Sequence, residues 1–281
     1  MRQTRYVASI ATQSDLQLVS RLCKRAVGPM DYSIQGLRGA IDKKGLFLAW
    51  SHDELVGMTN FNKCFDNSGW LSMARTDPDW RRKGIAVFLQ RQIAAYAKER
   101  GITALRLWAA STNKPSVNAI RKGGFRLACE AAQITCSLRK RTKHIAPANI
   151  LVRGKLVRYQ NSKYISQMNG YMPYIRCFLK PSGSILKTIS RRGEVYRSDE
   201  SVMIVRKPER RFGKLQSNFT LLEGGITASL RGVKEVATGL GAEIARGYIP
   251  YNRYQLRAAK RIGFRQARWG KHCLVFERKL P

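Results

Sequence analysis

Acidic residues are scarce in this chain of 281 residues. Only 18 Asp and Glu stand against 52 Lys and Arg, a formal charge of +34. Such an excess repels itself in a compact chain and calls for an anionic counterpart, most commonly nucleic acid. It amounts to +15 over residues 1–150 and +19 over 151–281, so no basic tail accounts for it. Long apolar runs are also missing. No stretch of 18 apolar residues occurs, so no transmembrane helix and no membrane partner are expected. The opening residues 1–5 lead into no apolar segment of the kind a secretory signal needs. The six cysteines (Cys23, Cys64, Cys129, Cys136, Cys177, Cys273) contain no CxxC, which argues against a disulfide framework or a zinc site and for reduced thiols in a cytoplasmic protein. Three histidines (His52, His144, His272) form neither a metal-ligand nor a triad spacing, so no metal is expected.

What is present suits folded domains. The chain is 44% hydrophobic, and its length points to about two domains. Residues 14–26 read as a helix capped by Ser14 or Asp15, with Leu16, Val19, Leu22 and Cys23 on one face. Residues 46–50 and 55–58 read as a hairpin, and residues 70–75 as a further strand. After residues 76–79 break the pattern, Ile85, Phe88, Leu89, Ile93, Tyr96 and Ala97 make a helical stripe that Gly101 ends. A strand at 105–109, a short helix after Asn113 and strands near 126–130 and 133–138 follow. The alternation indicates an α/β or α+β layered domain, with a junction near residues 141–147.

Two segments carry chemistry. In Pro78-Asp79-Trp80-Arg81-Arg82-Lys83-Gly84-Ile85-Ala86 a loop with three cations enters the long helix at a glycine. Free N–H groups and the positive helix end suit a pyrophosphate, and Gly84 and Ala86 allow close approach. The second segment runs from Asn113 to Phe125 and contains Ser116, Gly123 and Gly124. Together they resemble the GNAT superfamily of acyl-CoA-dependent N-acyltransferases. Arg81, Gly84 and Ala86 match the family's Arg/Gln-x-x-Gly-x-Gly/Ala loop; Asn113, Ser116, Gly124 and Phe125 match its second signature.

The resemblance covers about the first 140 residues. It implies a mixed, mostly antiparallel central sheet flanked by helices, with the fourth and fifth strands splayed to take the pantetheine arm of acetyl-CoA or another acyl-CoA. It places Ala74 and Thr76 along that arm, the amides of Arg81, Arg82, Lys83, Gly84, Ile85 and Ala86 on the pyrophosphate, and Asn113 and Ser116 beside the pantetheine. It implies attack of an amine on the acyl thioester. The catalytic residues stay unassigned. Where many family members carry a Tyr as acid, this chain has Ile120, and residues 71–75 hold no carboxylate. Asp66 or Glu54 acting through water, or an amine arriving unprotonated, stays open; Cys64 reads better as a buried thiol than as a nucleophile.

The second half echoes the first. Asn252 to Phe264 repeats the length of Asn113 to Phe125, and Leu230, Val233, Val236, Ala237 and Leu240 form a stripe ending at Gly241. We therefore expect two tandem GNAT-like domains, residues 1–142 binding the cofactor and residues 143–281 a degenerate copy. With Leu222 at the Arg81 position and Glu223 beside it, the second loop is ill-suited to a phosphate. Arg253, Arg257, Lys260, Arg261 and Arg265, with Arg268, Lys271, Tyr251, Tyr254 and Trp269 nearby, suggest a nucleic-acid-binding surface. The function expected is acyl transfer to an amine, with the acceptor left open between DNA or RNA or an associated molecule, a protein and a small molecule; the alternative is a non-catalytic nucleic-acid-binding protein on the same scaffold.

Overall fold

A computed structural model describes residues 6–138, 156–198, 200–267 and 272–281. In chain order its strands and α-helices are β1 (Val7–Ile10), α1 (Leu16–Ala26), α2 (Leu37–Asp42), β2 (Leu46–Ser51), β3 (Glu54–Lys63), β4 (Ser68–Thr76), α3 (Ile85–Lys98), β5 (Ala104–Ala110), α4 (Lys114–Lys122) and β6 (Arg126–Ser137). Then come α5 (Lys163–Ser166), β7 (Met172–Tyr174), β8 (Cys177–Leu179), α6 (Gly183–Arg191), β9 (Val195–Ser198), β10 (Ser201–Val205), β11 (Glu209–Arg211) and β12 (Lys214–Glu223). The last are α7 (Ile226–Gly239), β13 (Ile244–Pro250), α8 (Arg253–Arg261), β14 (Arg265–Gln266) and β15 (Cys273–Lys279).

Contacts divide the chain into two compact units. One comprises Met1–Trp108, Lys114–Leu127 and Phe276–Pro281; the other Ala109–Asn113 and Ala128–Val275. A single cut at 142/143 does not describe this grouping, because the end of the chain clusters with the first unit and most of β6 with the second. The expected junction itself lies outside the described residues.

In the first unit the sheet runs β1-β2-β3-β4-β5. Its pairs are antiparallel except β4 with β5. α1 and α2 cover it with Val19, Leu22, Cys23, Leu37, Ala40 and Ile41, which pack on Leu46, Leu48 and Met58. α1 is preceded by a 3-10 turn, and the Thr12 N–H donates to Asp15 (2.8 Å). Thr12 caps that turn, while Asp15, one of the two residues expected, stands at the N-cap of α1 with its carboxylate turned back to Thr12 instead of to the helix amides. The stripe of α3 buries Ile85, Leu89, Ile93 and Ala97.

In the second unit β6-β13-β12-β10-β9 form the sheet, with β12 and β13 parallel. Its core joins Ile134, Phe219, Leu221 and Ala245 to Leu230 and Val233 of α7 and Ala258 and Ala259 of α8. β6 is one strand where two were expected. Ala131 and Ala132 are buried and pair with Pro250 and Ile249, so nothing turns the chain there.

Candidate functional site

The sheet of the first unit opens beside β4. β4 and β5 are paired only at Ser68–Ala104, Gly69–Leu105 and Trp70–Arg106, and β4 then runs on to Thr76 without a β5 partner. A bulge accompanies the parting. Met58 pairs with Arg75 but Asn60 with Ser72, so Thr59 faces both Met73 and Ala74. Such an insertion bends its strand and sharpens its twist, and Met73 accordingly adopts a φ of 55°. Arg75 holds the bulge. It donates to Asp31 (Nε–Oδ2 2.7 Å, Nη2–Oδ1 2.5 Å), to Ser33 Oγ (2.7 Å) and to the Ala74 carbonyl (2.7 Å). Burial acts to raise the pKa of Asp31, but the hydrogen bonds from Arg75 and Ser33 outweigh it and hold the carboxyl below its usual range. Burial, and then Asp31, pushes the neighbouring Cys23 thiol up to about 12, so that cysteine is inert.

β4 leads into the loop that the sequence singles out. Asp77 is buried, accepts from the Asp79 N–H (3.1 Å) and pairs with Arg25 (3.0 Å), fixing a short 3-10 turn at Pro78–Trp80. Arg82 (φ 62°) and Gly84 (φ 86°) are left-handed, and α3 starts at Ile85 without a side-chain cap. The Phe88 N–H is bonded to the Gly84 carbonyl (2.9 Å). The amides of Ile85, Ala86 and Val87 lie in the helix's first turn, ahead of any intrahelical acceptor. That arrangement, at the positive end of a 14-residue helix, has the donors and the dipole sign that suit an anion. Arg81, Arg82, Lys83 and Gly84 are exposed, Ala86 half-buried and Ile85 buried.

The side chains differ in what they are free to do. Arg81 donates to the Ala26 carbonyl (2.8 Å), so it ties the loop to the end of α1 rather than reaching toward a phosphate. Lys83 Nζ stands 4.4 Å over the Trp80 ring, whose Nε1 donates to Glu54 (3.0 Å). Arg82 has no ion-pair partner among the described residues. Ala74 and Thr76 both lie on the part of β4 that has parted from β5. Ser116, half-buried in the first turn of α4, groups with the first unit; exposed Asn113 groups with the second. Of the two candidate proton acceptors, Asp66 is locked against Arg106 (2.5 Å), which also holds Glu277 (2.7 Å), all three nearly buried. Glu54 is exposed and held by Trp80, and Cys64 is half-buried.

The corresponding region of the second unit is closed. β12 and β13 also part, after Phe219–Gly247. The next residue of β13, Tyr248, is buried with its hydroxyl accepting from Gln133 (2.8 Å) and its ring 5.1 Å from Phe178 of β8. Thr220, next on β12, bonds the Pro173 carbonyl of β7. The turn into α7 is only Gly224 and Gly225, with Glu223 before it paired to Arg158 (3.1 Å). Asn252, which the sequence reading sets against Asn113, caps α8 by accepting from the Gln255 N–H (2.8 Å).

Arg253, Arg257, Lys260 and Arg261 are exposed on α8 beside Tyr254, itself 76% exposed. Arg265 separates from them. It pairs with Thr135, and the residues on either side of Thr135 in β6, Ile134 and Cys136, belong to the core under α7 and α8. Arg268, Trp269 and Lys271 lie outside the described residues. One contact had no signal in the sequence: His272 meets Glu130 (3.2 Å) and stacks on Tyr251 at 4.0 Å. Among the described residues no group of His, Cys, Asp and Glu could hold a metal ion.

Comparison with known proteins bears on the same region. Residues 18–125 match the Acetyltransferase (GNAT) family. Among solved structures, a GCN5-related N-acetyltransferase from Sphaerobacter thermophilus is 14% identical with a TM-score of 0.62, over 100% of this chain and 96% of that one. A provisionally assigned acetyltransferase from Pyrococcus horikoshii is 17% identical with a TM-score of 0.58, over 98% and 89%. A GCN5-related N-acetyltransferase from Anabaena variabilis is 11% identical with a TM-score of 0.53, over 99% and 73%. At these identities the likeness establishes a shared fold along the chain. No curated protein is significantly similar in sequence.

Proposed function

We propose that this chain, whose residues 18–125 match the GNAT acetyltransferase family, moves an acetyl group from acetyl-CoA to an amine on a nucleic acid or on a molecule associated with one. The observation that carries this reading is the junction of the parted β4 edge with the uncapped start of α3. The amides at Gly84, Ile85 and Ala86 would hold the diphosphate, Arg82 and Lys83 would add charge, and the edge at Ala74 and Thr76 would align the pantetheine. Acetyl-CoA supplies the activated thioester. The protein's part is to fix that thioester against the acceptor and to exclude alternative geometries, from which much of the rate derives. No catalytic acid or base is assigned: Asp66 is taken up by Arg106, and Ile120 stands where many relatives carry a Tyr.

The second unit reads as a degenerate copy of the first, serving as a substrate-binding partner, and exposed α8 with Tyr254 as a surface for phosphates and bases. That same surface favours one second reading, a non-catalytic nucleic-acid-binding protein on an acetyltransferase scaffold. A panel of DNA, RNA and small amines incubated with labelled acetyl-CoA separates the two. The first reading expects label on a nucleic-acid fraction with the wild type and none with Gly84→Glu; label transfer that survives Gly84→Glu would remove the assigned cradle, and none anywhere would favour the second.

A further inference from the structure

A row of side chains across the second unit's sheet carries charge that nothing balances. Arg246 of β13 lies opposite Asn218 of β12 and Thr135 of β6, and Thr135 lies opposite Arg265 of β14. Facing residues on paired strands share one face of the sheet. Ile134, Phe219 and Ala245, which alternate with this row, belong to the core under α7 and α8, so the row lies on the other face. Arg246 is half-buried, and its Nε is wholly buried without an acceptor. It has no ion pair among the described residues. Burial lowers its pKa; Tyr248 acts to raise it, and Arg176, in the turn between β7 and β8, adds to the lowering because it has the same sign. No carboxylate offsets either effect.

A guanidinium does not shed its proton under ordinary conditions, so a half-buried one without a counter-ion is costly. The neighbours are suited to an anion. Thr135 offers a hydroxyl and Asn218 an amide, both half-buried, while Arg176 and Arg265 are exposed at the margins. A planar guanidinium flanked by neutral donors matches the oxygens of a phosphate group.

We propose that Arg246, with Thr135 and Asn218 beside it and Arg176 and Arg265 at its margins, binds a phosphate group. This site is separate from the turn into α3 and does not depend on the acetyl-transfer reading. The phosphate belongs either to a small phosphomonoester or to a nucleic-acid backbone, and the test has an arm for each. In the first arm, thermal melts of the full chain compare chloride with inorganic phosphate at equal ionic strength. The wild type is expected to melt several degrees higher in phosphate. Arg246→Met is expected to melt at or above the wild type in chloride and to lose that increment. Arg176→Gln, an exposed change, is expected to reduce it. Arg261→Gln, which removes one surface charge on α8, is expected to keep it. In the second arm, anisotropy of a fluorescent oligothymidylate is compared. A tenfold or greater loss of affinity in Arg246→Met identifies the phosphodiester as the source; unchanged affinity with a lost phosphate increment identifies the monoester. An increment equal in wild type and Arg246→Met, or lost as fully in Arg261→Gln, overturns the proposal. So does an Arg246→Met chain that melts below the wild type in chloride, because the guanidinium would then have a partner already.

Discussion

The two units each part a pair of parallel strands, yet they treat the gap in opposite ways. In the first, the turn from β4 to α3 spans residues 77–84, winds through two left-handed residues and leaves the helix start uncapped. In the second, two glycines make the whole turn, and Tyr248, Phe178 and Pro173 pack where the strands separate. Parting of strands is therefore a property of the sheet, whereas access for a ligand depends on the length of the following turn and on what fills the space. The first gap is propped by a buried ion pair behind it; the second is occupied by side chains.

The contrast breaks most severely at the prop. Arg75→Met leaves the Asp31 carboxylate buried without its partner and is expected to cost about 3–5 kcal/mol of stability, read by denaturant titration. The pH dependence identifies the cause. In the wild type the Asp31 pKa is held down, so its contribution is present above the unfolded value of about 3.9 and fades as pH falls through the folded value. In the variant the orphaned carboxyl is raised, so the deficit is largest near neutrality and shrinks toward acid pH.

At the cradle itself, Gly84→Glu sets a negative charge where the diphosphate is expected. A repulsion of about 3 kcal/mol would weaken acetyl-CoA binding roughly 100-fold by isothermal titration. Gly225→Glu, at the second turn, is expected to leave that affinity unchanged. The third test sharpens the difference in tightness. A Cβ at Gly224 would stand 2.3 Å from Ser201 Oγ and 2.8 Å from its Cα, at a φ of 101°. Gly224→Ala is therefore expected to lower stability by about 2 kcal/mol, measured by melting, without a change in acetyl-CoA affinity. At Gly84 a Cβ meets nothing within 4 Å, so Gly84→Ala carries only the backbone strain. The smallest effect is expected from Arg81→Ala, which removes one hydrogen bond to α1, costs about 1 kcal/mol of stability and changes KM for acetyl-CoA by no more than a few fold.

Much of the cradle is legible from sequence because local rules determine it. The stripe from Ile85 to Ala97 and the glycine before it need only helical periodicity and backbone permissiveness. The bulge at Met73 is invisible there, since no glycine or proline marks it. It depends on Arg75 meeting Asp31, a contact between distant residues. The same limit hides the role of Arg81, whose position fits a phosphate-binding pattern while its guanidinium serves the end of α1. A single β6 was missed because two adjacent alanines look like a break until their partners in β13 are known. The split of Arg265 from the α8 cations follows from strand register, which charge spacing does not report.

The return of residues 276–281 to the first unit has a consequence for how the molecule is made. Arg106 waits for Glu277, and the Thr103 carbonyl for the Leu280 N–H (2.9 Å). During synthesis, a first unit already emerged from the ribosome would therefore stay unfinished until nearly all of the second had been translated. Folding cannot proceed strictly one unit at a time, and an amino-terminal fragment would leave the Arg106–Asp66 pair without Glu277 along an uncovered strand.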